Sequence, residues 1–201
     1  NSNFDNESHD LVLRVDDNLL DQTTGDEYIV VDLLGTGTFG QVVKCQHKQS
    51  ATFRAVKIVK NQQAYFNQAW VEINILRILH RNNSSDDAQH IVRFMTHFIF
   101  QDHLCLVFEK LSINLYELLK QNRYAGVSME ILRSFLEQLL KALDVLVKSE
   151  VVHCDVKPEN ILLSAVDKAE LKLIDFGSAC QLQHPVYTYV QSRFYRSPEI
   201  L

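Results

Sequence analysis

The chain has 201 residues, of which 46 % are hydrophobic and 22 % are charged. Its length suits one domain or two small ones, and its near-average globular composition excludes a wholly disordered or fibrous chain. Twenty Lys and Arg against 25 Asp and Glu leave a net charge of −5, so nucleic acid is not an expected partner. The longest apolar run, Leu104–Phe108, is far shorter than the roughly 20 residues that cross a bilayer. A membrane partner is therefore not expected either.

The cysteines indicate the cellular compartment of the protein, and the two ends of the chain indicate whether the sequence is a fragment. Cys45, Cys105, Cys154 and Cys180 are widely spaced and form no C-x-x-C pair. This predicts reduced thiols in a cytoplasmic or nuclear protein, not a disulfide framework or a zinc site. The N-terminus has neither the basic nor the apolar region of a signal peptide. Because no initiator methionine is present and a motif breaks off at the last residue, the chain is expected to be a fragment.

The first part of the chain reads as a polar lead-in followed by strands. Residues 1–27 are polar and acidic, and an alternating stretch at Leu11–Val15 predicts a short strand. Glycine or polar turns then separate short apolar strands, which favours an antiparallel sheet. These strands are predicted at Tyr28–Leu34, Gln41–Gln46 and Phe53–Val59, with two more at Ile91–Phe100 and His103–Phe108.

Helical spacing appears once within this part and dominates after it. Apolar residues recur every three or four positions from Ala64 to His80, which predicts one helix between the third and fourth strands. Beyond Glu109 the chain turns mainly helical, with a short helix at Asn114–Gln121 and a long one at Met129–Val147 that Ser128 can cap. The expected fold class is therefore α+β, a sheet-rich part followed by a helix-rich part.

A glycine cluster follows the first firm strand. It reads Leu34-Gly35-Thr36-Gly37-Thr38-Phe39-Gly40-Gln41-Val42. Glycines at this spacing let backbone amides approach phosphate oxygens. The same pattern marks dinucleotide-binding turns, but those open a helix, whereas the residues after Gly40 continue as strand. A strand–loop–strand cover over phosphates and a glycine-rich hairpin without a ligand both remain open from these residues alone.

Two charged residues lie at positions that ought to be apolar. Lys57 is in the middle of the third strand, and Glu72 is on the apolar side of the predicted helix. An unpaired carboxylate there would be costly, so Glu72 could hold Lys57 while the lysine reaches the phosphates of a nucleotide. The simpler alternative is a surface glutamate and a lysine that extends its amine to solvent.

Two later segments carry residues suited to phosphoryl transfer. One is Val151–Leu163, which contains Asp155, Lys157 and Asn160, and the other ends in Asp175-Phe-Gly. This chemistry needs an oriented hydroxyl, held metal ions and offset charge. Asp155 can accept the hydroxyl proton and Lys157 can neutralise the γ-phosphate. Asn160 and Asp175 offer the oxygen ligands that Mg²⁺ prefers.

The ordered set of these motifs resembles the eukaryotic protein kinases, from about Tyr28 to the end of the chain. Cys154, where most protein kinases have arginine, and the segment Tyr187–Glu199 are similar to the dual-specificity tyrosine-regulated kinases, of the Yak branch. Asn6-x-x-x-Asp10 resembles the short homology box that precedes their kinase domain, although Leu11 stands where tyrosine is usual. The resemblance implies a bilobal kinase domain over 28–201, with an N-lobe at 28–108 and an incomplete C-lobe at 109–201.

The resemblance also implies roles for single residues. Catalysis would involve Asp155, Lys157, Lys57 and Glu72, and Mg²⁺ would be held by Asn160 and Asp175. Phe108 matches the gatekeeper, Tyr189 the autophosphorylated tyrosine, Arg193 the residue that shapes a pocket for a proline in the substrate, and His153 an internal packing residue. The nucleotide would be bound by Leu34, Gly35, Thr36, Gly37, Thr38, Phe39, Gly40, Gln41, Val42, Ala55, Lys57, Phe108, Glu109, Lys110, Leu111 and Leu162.

The function expected from these residues is ATP-dependent phosphorylation of serine and threonine in protein substrates, with autophosphorylation of Tyr189. A cytoplasmic or nuclear protein, monomeric when complete, is expected. One alternative is a catalytically inactive fragment or pseudokinase scaffold, against which the intact Lys57, Asp155, Asn160 and Asp175 count. Another is a small-molecule phosphotransferase of similar fold, which the segment from Tyr187 to Glu199 disfavours because it resembles a platform for protein substrates.

Overall fold

The computed structural model describes residues 4–81, 87–183 and 190–200. The chain forms two compact units. The first consists of Asn1–Ile73 with Arg93–Lys110, and the second of Asn74–Val92 with Leu111–Leu201.

The first unit is built on an antiparallel sheet, as the strand pattern predicted. Over the described residues it has six strands in the order β1-β2-β3-β4-β6-β5. Successive pairs are joined by hairpins, except that the helix α1 and its following turn connect β4 to β5. The strands are β1 Asn18–Leu20, β2 Glu27–Gly37, β3 Gly40–His47, β4 Thr52–Val59, β5 Phe94–Phe100 and β6 His103–Glu109; α1 is Gln63–Arg81.

The polar lead-in packs on this sheet, but not as predicted. The strand expected at Leu11–Val15 is wrong, because the strand in this region is β1, which pairs with the start of β2. Leu11 forms an isolated bridge to Asp5, and its carbonyl accepts from the side chain of Gln41 at 2.6 Å. The alternating pattern misleads because it does not extend past Leu13. Leu11 is buried in the core of the sheet and Leu13 packs against that core, whereas Val12 and Val15 are exposed.

The second unit is mainly helical, with short hairpins. Asn114 caps α2, its side chain accepting from the backbone of Glu117 at 2.7 Å, and Ser128 caps α3 as predicted. The helices are α2 Leu115–Gln121 and α3 Met129–Lys148, and the strands are β7 Val151–Val152, β8 Ile161–Leu163, β9 Leu171–Leu173 and β10 Cys180–Gln181. Single 3-10 turns lie at Asp87–His90, Pro158–Asn160, Phe176–Ser178, Arg193–Tyr195 and Pro198–Ile200.

The long helix α3 is apolar on more of its surface than its neighbours cover. Phe135, Ala142, Val145 and Leu146 are buried and Leu139 and Leu143 are partly buried, whereas six further apolar residues are at least two-fifths exposed. These are Met129, Ile131, Leu132, Leu136, Leu140 and Val147. In the described part of the chain, none of the helices combines the length and apolar character needed to span a membrane.

Candidate active site

The candidate residues fall in both units, and each group lies within its own unit. In the first unit, Lys57 and Glu72 form an ion pair. The lysine Nζ lies 2.8 Å and 3.1 Å from the two carboxylate oxygens, and the two side chains are only 12 % and 3 % exposed. Lys57 comes from the middle of β4 and Glu72 from the buried side of α1. From the sequence, Lys57 and Glu72 could either form a buried ion pair or both face solvent. The structure shows the buried ion pair.

The glycine cluster forms the hairpin between β2 and β3, as strand–loop–strand. The three glycines differ in what requires them. At Gly40 the backbone has φ of +142°, and an added Cβ would lie 2.1 Å from the carbonyl oxygen of Ile58, so only glycine fits against β4. At Gly35 and Gly37 an added Cβ would meet nothing within 4 Å. Packing thus accounts for Gly40, whereas Gly35 and Gly37 line open space.

At the tip of this hairpin, Phe39 lies close to the ion pair. The Lys57 ammonium is 5.6 Å from the centre of the Phe39 ring, which meets Tyr65 edge to face. A cation over an aromatic face is attracted to it. The ammonium therefore has a carboxylate and an aromatic ring as neighbours in its own unit.

The predicted adenine-binding residues of the first unit lie on adjacent strands. Ala55 in β4 pairs directly with Phe108 in β6, and Val42 in β3 pairs with Lys57. Phe108 is buried and meets Phe94 edge to face. Burial, reinforced by the positive charge of Lys44, lowers the pKa of Lys110. The other predicted contact residues, Leu111 and Leu162, belong to the second unit.

In the second unit, Asp155 is held at both carboxylate oxygens. Its Oδ1 accepts from the hydroxyl of Ser192 at 2.6 Å and from the Ser192 backbone N–H at 3.2 Å. Its Oδ2 accepts from Lys157 Nζ at 2.7 Å and from Asn160 Nδ2 at 3.2 Å. Burial by itself raises the pKa of Asp155, but the hydrogen bonds from Lys157 and Ser192 outweigh it and bring that pKa below its ordinary value. The carboxylate is therefore ionised at neutral pH.

His153 supports the same loop and is not a proton donor to it. Its Nε2 donates to the carbonyl of Ile174 at 2.9 Å, and its Nδ1 accepts from the backbone N–H of Asp155 at 3.2 Å. Its ring packs on Phe176 with centres 4.8 Å apart. Burial lowers the pKa of His153, in agreement with a neutral ring that accepts at one nitrogen.

The two predicted metal ligands lie at one end of the β8–β9 hairpin. Asn160 directly precedes β8, Asp175 follows β9, and the backbone N–H of Ile174 donates to the carbonyl of Asn160 at 2.9 Å. The Asn160 amide nitrogen donates to the Asp155 backbone carbonyl at 2.9 Å, which directs its Oδ1 the opposite way. In the described ranges no group of three or more His, Cys, Asp or Glu could form a metal cage. One carboxylate and one amide oxygen fit Mg²⁺, which usually takes few protein ligands and completes its shell with phosphates and water.

Sequence reasoning missed two residues that the structure brings to this loop, Gln191 and Ser192. The Gln191 side chain pairs with both backbone groups of Val156, and Ser192 contacts Asp155 and Lys157. Neither residue belongs to a periodic pattern, and their partners lie 35 or more positions away. Only the position of Ser192 beside Arg193, in the segment Tyr187–Glu199, pointed to this region.

The two arginines in this segment differ in their contacts, and the substrate-pocket role of Arg193 that the resemblance implies stays a prediction. Arg196 Nε donates to the backbone carbonyls of Val190 and Gln191, at 3.2 Å and 3.0 Å, whereas Arg193 opens a 3-10 turn. Tyr189, the predicted phosphorylated tyrosine, lies outside the described residues.

Cys154, which replaces the usual arginine beside Asp155, faces a second thiol. Its Sγ lies 3.8 Å from Sγ of Cys180. Burial, with the neighbouring Cys180, raises the pKa of Cys154 to about 12, so the Cys154 thiol stays protonated at neutral pH.

Comparison of the sequence with known protein families and proteins identifies the family of this chain. The description "Protein kinase domain" belongs to the family model that matches residues 28–201, and the chain is a member of that family. It is 48 % identical over its whole length to the serine/threonine-protein kinase ppk15 of Schizosaccharomyces pombe. It is 50 % identical to the dual specificity protein kinase YAK1 of Saccharomyces cerevisiae and to the YAK1 homolog of Arabidopsis thaliana. The resemblance to Yak-type kinases is thereby confirmed. The chain spans 38 %, 25 % and 21 % of the lengths of these three relatives, respectively.

Proposed function

We propose that this chain provides part of the catalytic machinery for ATP-dependent phosphorylation of serine and threonine in protein substrates. Asp155 carries the proposal. Its carboxylate is fixed at both oxygens by Ser192, Lys157 and Asn160, and its lowered pKa keeps it ionised at neutral pH. A fixed, ionised carboxylate can orient a hydroxyl and accept its proton during transfer. The names of the relatives, serine/threonine and dual specificity protein kinases, support the same activity.

The remaining charged residues offset charge on the phosphates. Lys157 lies 2.7 Å from Asp155, where its ammonium would neutralise the transferred phosphoryl group. Lys57, oriented by Glu72, would contact the other phosphates of ATP. Asn160 and Asp175 would hold Mg²⁺, which when bound supplies positive charge to the phosphate oxygens.

Autophosphorylation of Tyr189 belongs to this proposal as its finer part. The tyrosine lies two residues before Gln191 and three before Ser192, both of which contact the loop of Asp155. A phosphate there would bring about −1.5 to −2 charge near Arg193 and Arg196, and guanidinium groups bind phosphate well. Mass spectrometry of the active, full-length protein made in bacteria would find the phosphate on Tyr189; phosphate on Tyr187 alone would contradict this assignment. The cytoplasm or nucleus is proposed as the compartment, since the cysteines are free thiols.

The decisive experiment replaces Asp155 by asparagine in the full-length protein that carries this domain. Asparagine keeps the size and the hydrogen-bond acceptor at Oδ1 but cannot take a proton. We expect peptide phosphorylation to fall by about 10²–10⁴-fold, while ATP affinity, measured by calorimetry, stays close to wild type. Unchanged turnover in this variant would remove Asp155 from the mechanism. A wild-type protein that binds Mg²⁺-ATP without transferring phosphate would favour the scaffold alternative.

A further inference from the structure

One residue in the second unit holds the catalytic loop from outside it. Gln191 follows the segment of the predicted phosphotyrosine, and its backbone N–H donates to the carbonyl of Cys154 at 2.8 Å. Its side-chain Oε1 accepts from the backbone N–H of Val156 at 3.1 Å, and its Nε2 donates to the Val156 carbonyl. The carboxamide thus pairs with Val156 as a neighbouring strand would.

This pairing acts on the residues to either side of Val156. The N–H of Val156 belongs to the peptide group shared with Asp155, and its carbonyl belongs to the peptide group shared with Lys157. Because each peptide group is planar, fixing both groups limits the directions in which the side chains of Asp155 and Lys157 leave the backbone. A carboxamide is suited to this task, since it presents one acceptor and one donor side by side.

The backbone conformation of Gln191 indicates that its side chain has a specific role. Its φ is +68°, a left-handed conformation that glycine adopts easily and that is uncommon for residues with a Cβ. The arginine contact from Arg196 reaches the backbone carbonyl of Gln191 and would be available to glycine as well. What glycine could not supply is the pair of side-chain hydrogen bonds to Val156.

We propose that Gln191 is a positioning residue for Asp155 and Lys157: its carboxamide clamps the backbone of Val156 and so sets the direction of the two charged side chains. The inference rests on the proposed phosphoryl transfer and adds a residue that acts through Asp155 without touching substrate. It predicts a loss in the rate of transfer that is separate from nucleotide affinity and from stability.

The test uses two variants at this position and one matched control, in the full-length protein. Gln191→Met keeps the length of the side chain without the carboxamide, and Gln191→Gly removes it while accepting the left-handed backbone. The control is Gln138→Met. Gln138 also holds a backbone segment through its carboxamide, donating to Ala169 at 2.7 Å and accepting from Leu171 at 2.8 Å, away from Asp155.

We expect kcat to fall by about 10²-fold in both Gln191 variants, because small displacements of a catalytic group cost that much. The dissociation constant for ATP should stay within twofold of wild type. Gln138→Met should lower the melting temperature but keep kcat at temperatures where it is folded. The amide of Val156, followed by hydrogen exchange in NMR spectra, should exchange faster in both Gln191 variants and be unaffected in the control.

Three results would overturn the clamp. The first is a kcat within twofold of wild type in both Gln191 variants, and the second is a Val156 amide that stays equally protected without the carboxamide. The third is a rate loss that follows the melting temperature and disappears on cooling, since that would make Gln191 merely structural. Failure of the proposed function would give a different result: either the wild-type protein would not transfer phosphate, or Asp155→Asn would turn over at the wild-type rate. Hydrogen exchange at the Val156 amide would still show whether the Gln191 carboxamide holds the backbone of Val156.

Discussion

At the residue scale, the ion pair between Lys57 and Glu72 invites a test that separates stability from activity. Both side chains are nearly buried, and removing one partner of such a pair costs roughly 3–5 kcal/mol. We expect Glu72→Ala to lower the free energy of unfolding by about that amount, measured by chemical denaturation. The double variant Lys57→Met with Glu72→Met should recover most of the stability and none of the activity. Equal turnover in Glu72→Ala and wild type would show that transfer does not require the pair.

His153 gives a prediction about pH. Its pKa is lowered by burial from an ordinary value of about 6.5, so the unfolded chain binds a proton that the folded ring does not. The stabilisation is therefore complete above pH 6.5 and is lost as pH falls below it. We expect the free energy of unfolding to drop more steeply from pH 7 to pH 5 in wild type than in His153→Phe. Parallel slopes in the two proteins would mean that His153 is not held neutral.

Residues with a chemical reason to stand where they do could be predicted from sequence. A buried lysine and a buried glutamate need one another, which is why the Lys57–Glu72 pair could be inferred as one of two alternatives. Ser192 could not be found in this way, because a serine in an irregular segment has many uses. Its partner Asp155 lies 37 positions away, and only the folded chain brings the two together.

At the element scale, the glycines of the β2–β3 hairpin serve two different purposes: Gly40 is needed for packing against β4, whereas Gly37 faces open space that a ligand could approach. Alanine at Gly40 would have to place its Cβ against the backbone of β4 at a positive φ. We expect Gly40→Ala to lower the free energy of unfolding by more than about 1 kcal/mol. Gly37→Ala, with open space around its Cβ, should leave stability within about 0.5 kcal/mol of wild type and instead weaken ATP binding. Thermal denaturation and calorimetry would check both, and equal melting temperatures would contradict the packing role of Gly40.

Element type was predictable wherever periodicity extended over several turns or alternations. The helices α1 and α3 begin and end within one residue of the predicted bounds, since their apolar spacing persists over many residues and Ser128 marks a start. The prediction of a strand in the lead-in failed because the alternation at Leu11–Val15 covers only five residues, and two inward-facing leucines, Leu11 and Leu13, do not by themselves define a strand. The strand predicted at Ile91–Phe100 begins only at Phe94, as Ile91 instead bridges to Leu173.

At the scale of the whole chain, the exposed side of α3 governs solution behaviour. Leu132, Leu136 and Leu140 are each about half exposed on one helix, and contiguous apolar surface promotes association. We expect residues 1–201 alone to associate at micromolar concentration in sedimentation velocity. Lysine at both Leu136 and Leu140 should shift the distribution towards monomer. Lysine at Val166, an exposed apolar residue outside α3, serves as the control and should change nothing. A monomeric wild-type chain would contradict the expectation.

The contacts of Ser192 with Asp155 also have a pharmacological consequence. The groups that hold Oδ1 come from the chain just beyond the predicted phosphotyrosine, and not from the glycine hairpin or the strands predicted to bind adenine. We expect a compound that binds residues 190–192 and draws Ser192 away from the carboxylate to slow turnover without contacting the residues predicted to bind the nucleotide. Its inhibition would be noncompetitive with ATP, so the millimolar nucleotide of a cell would not displace it.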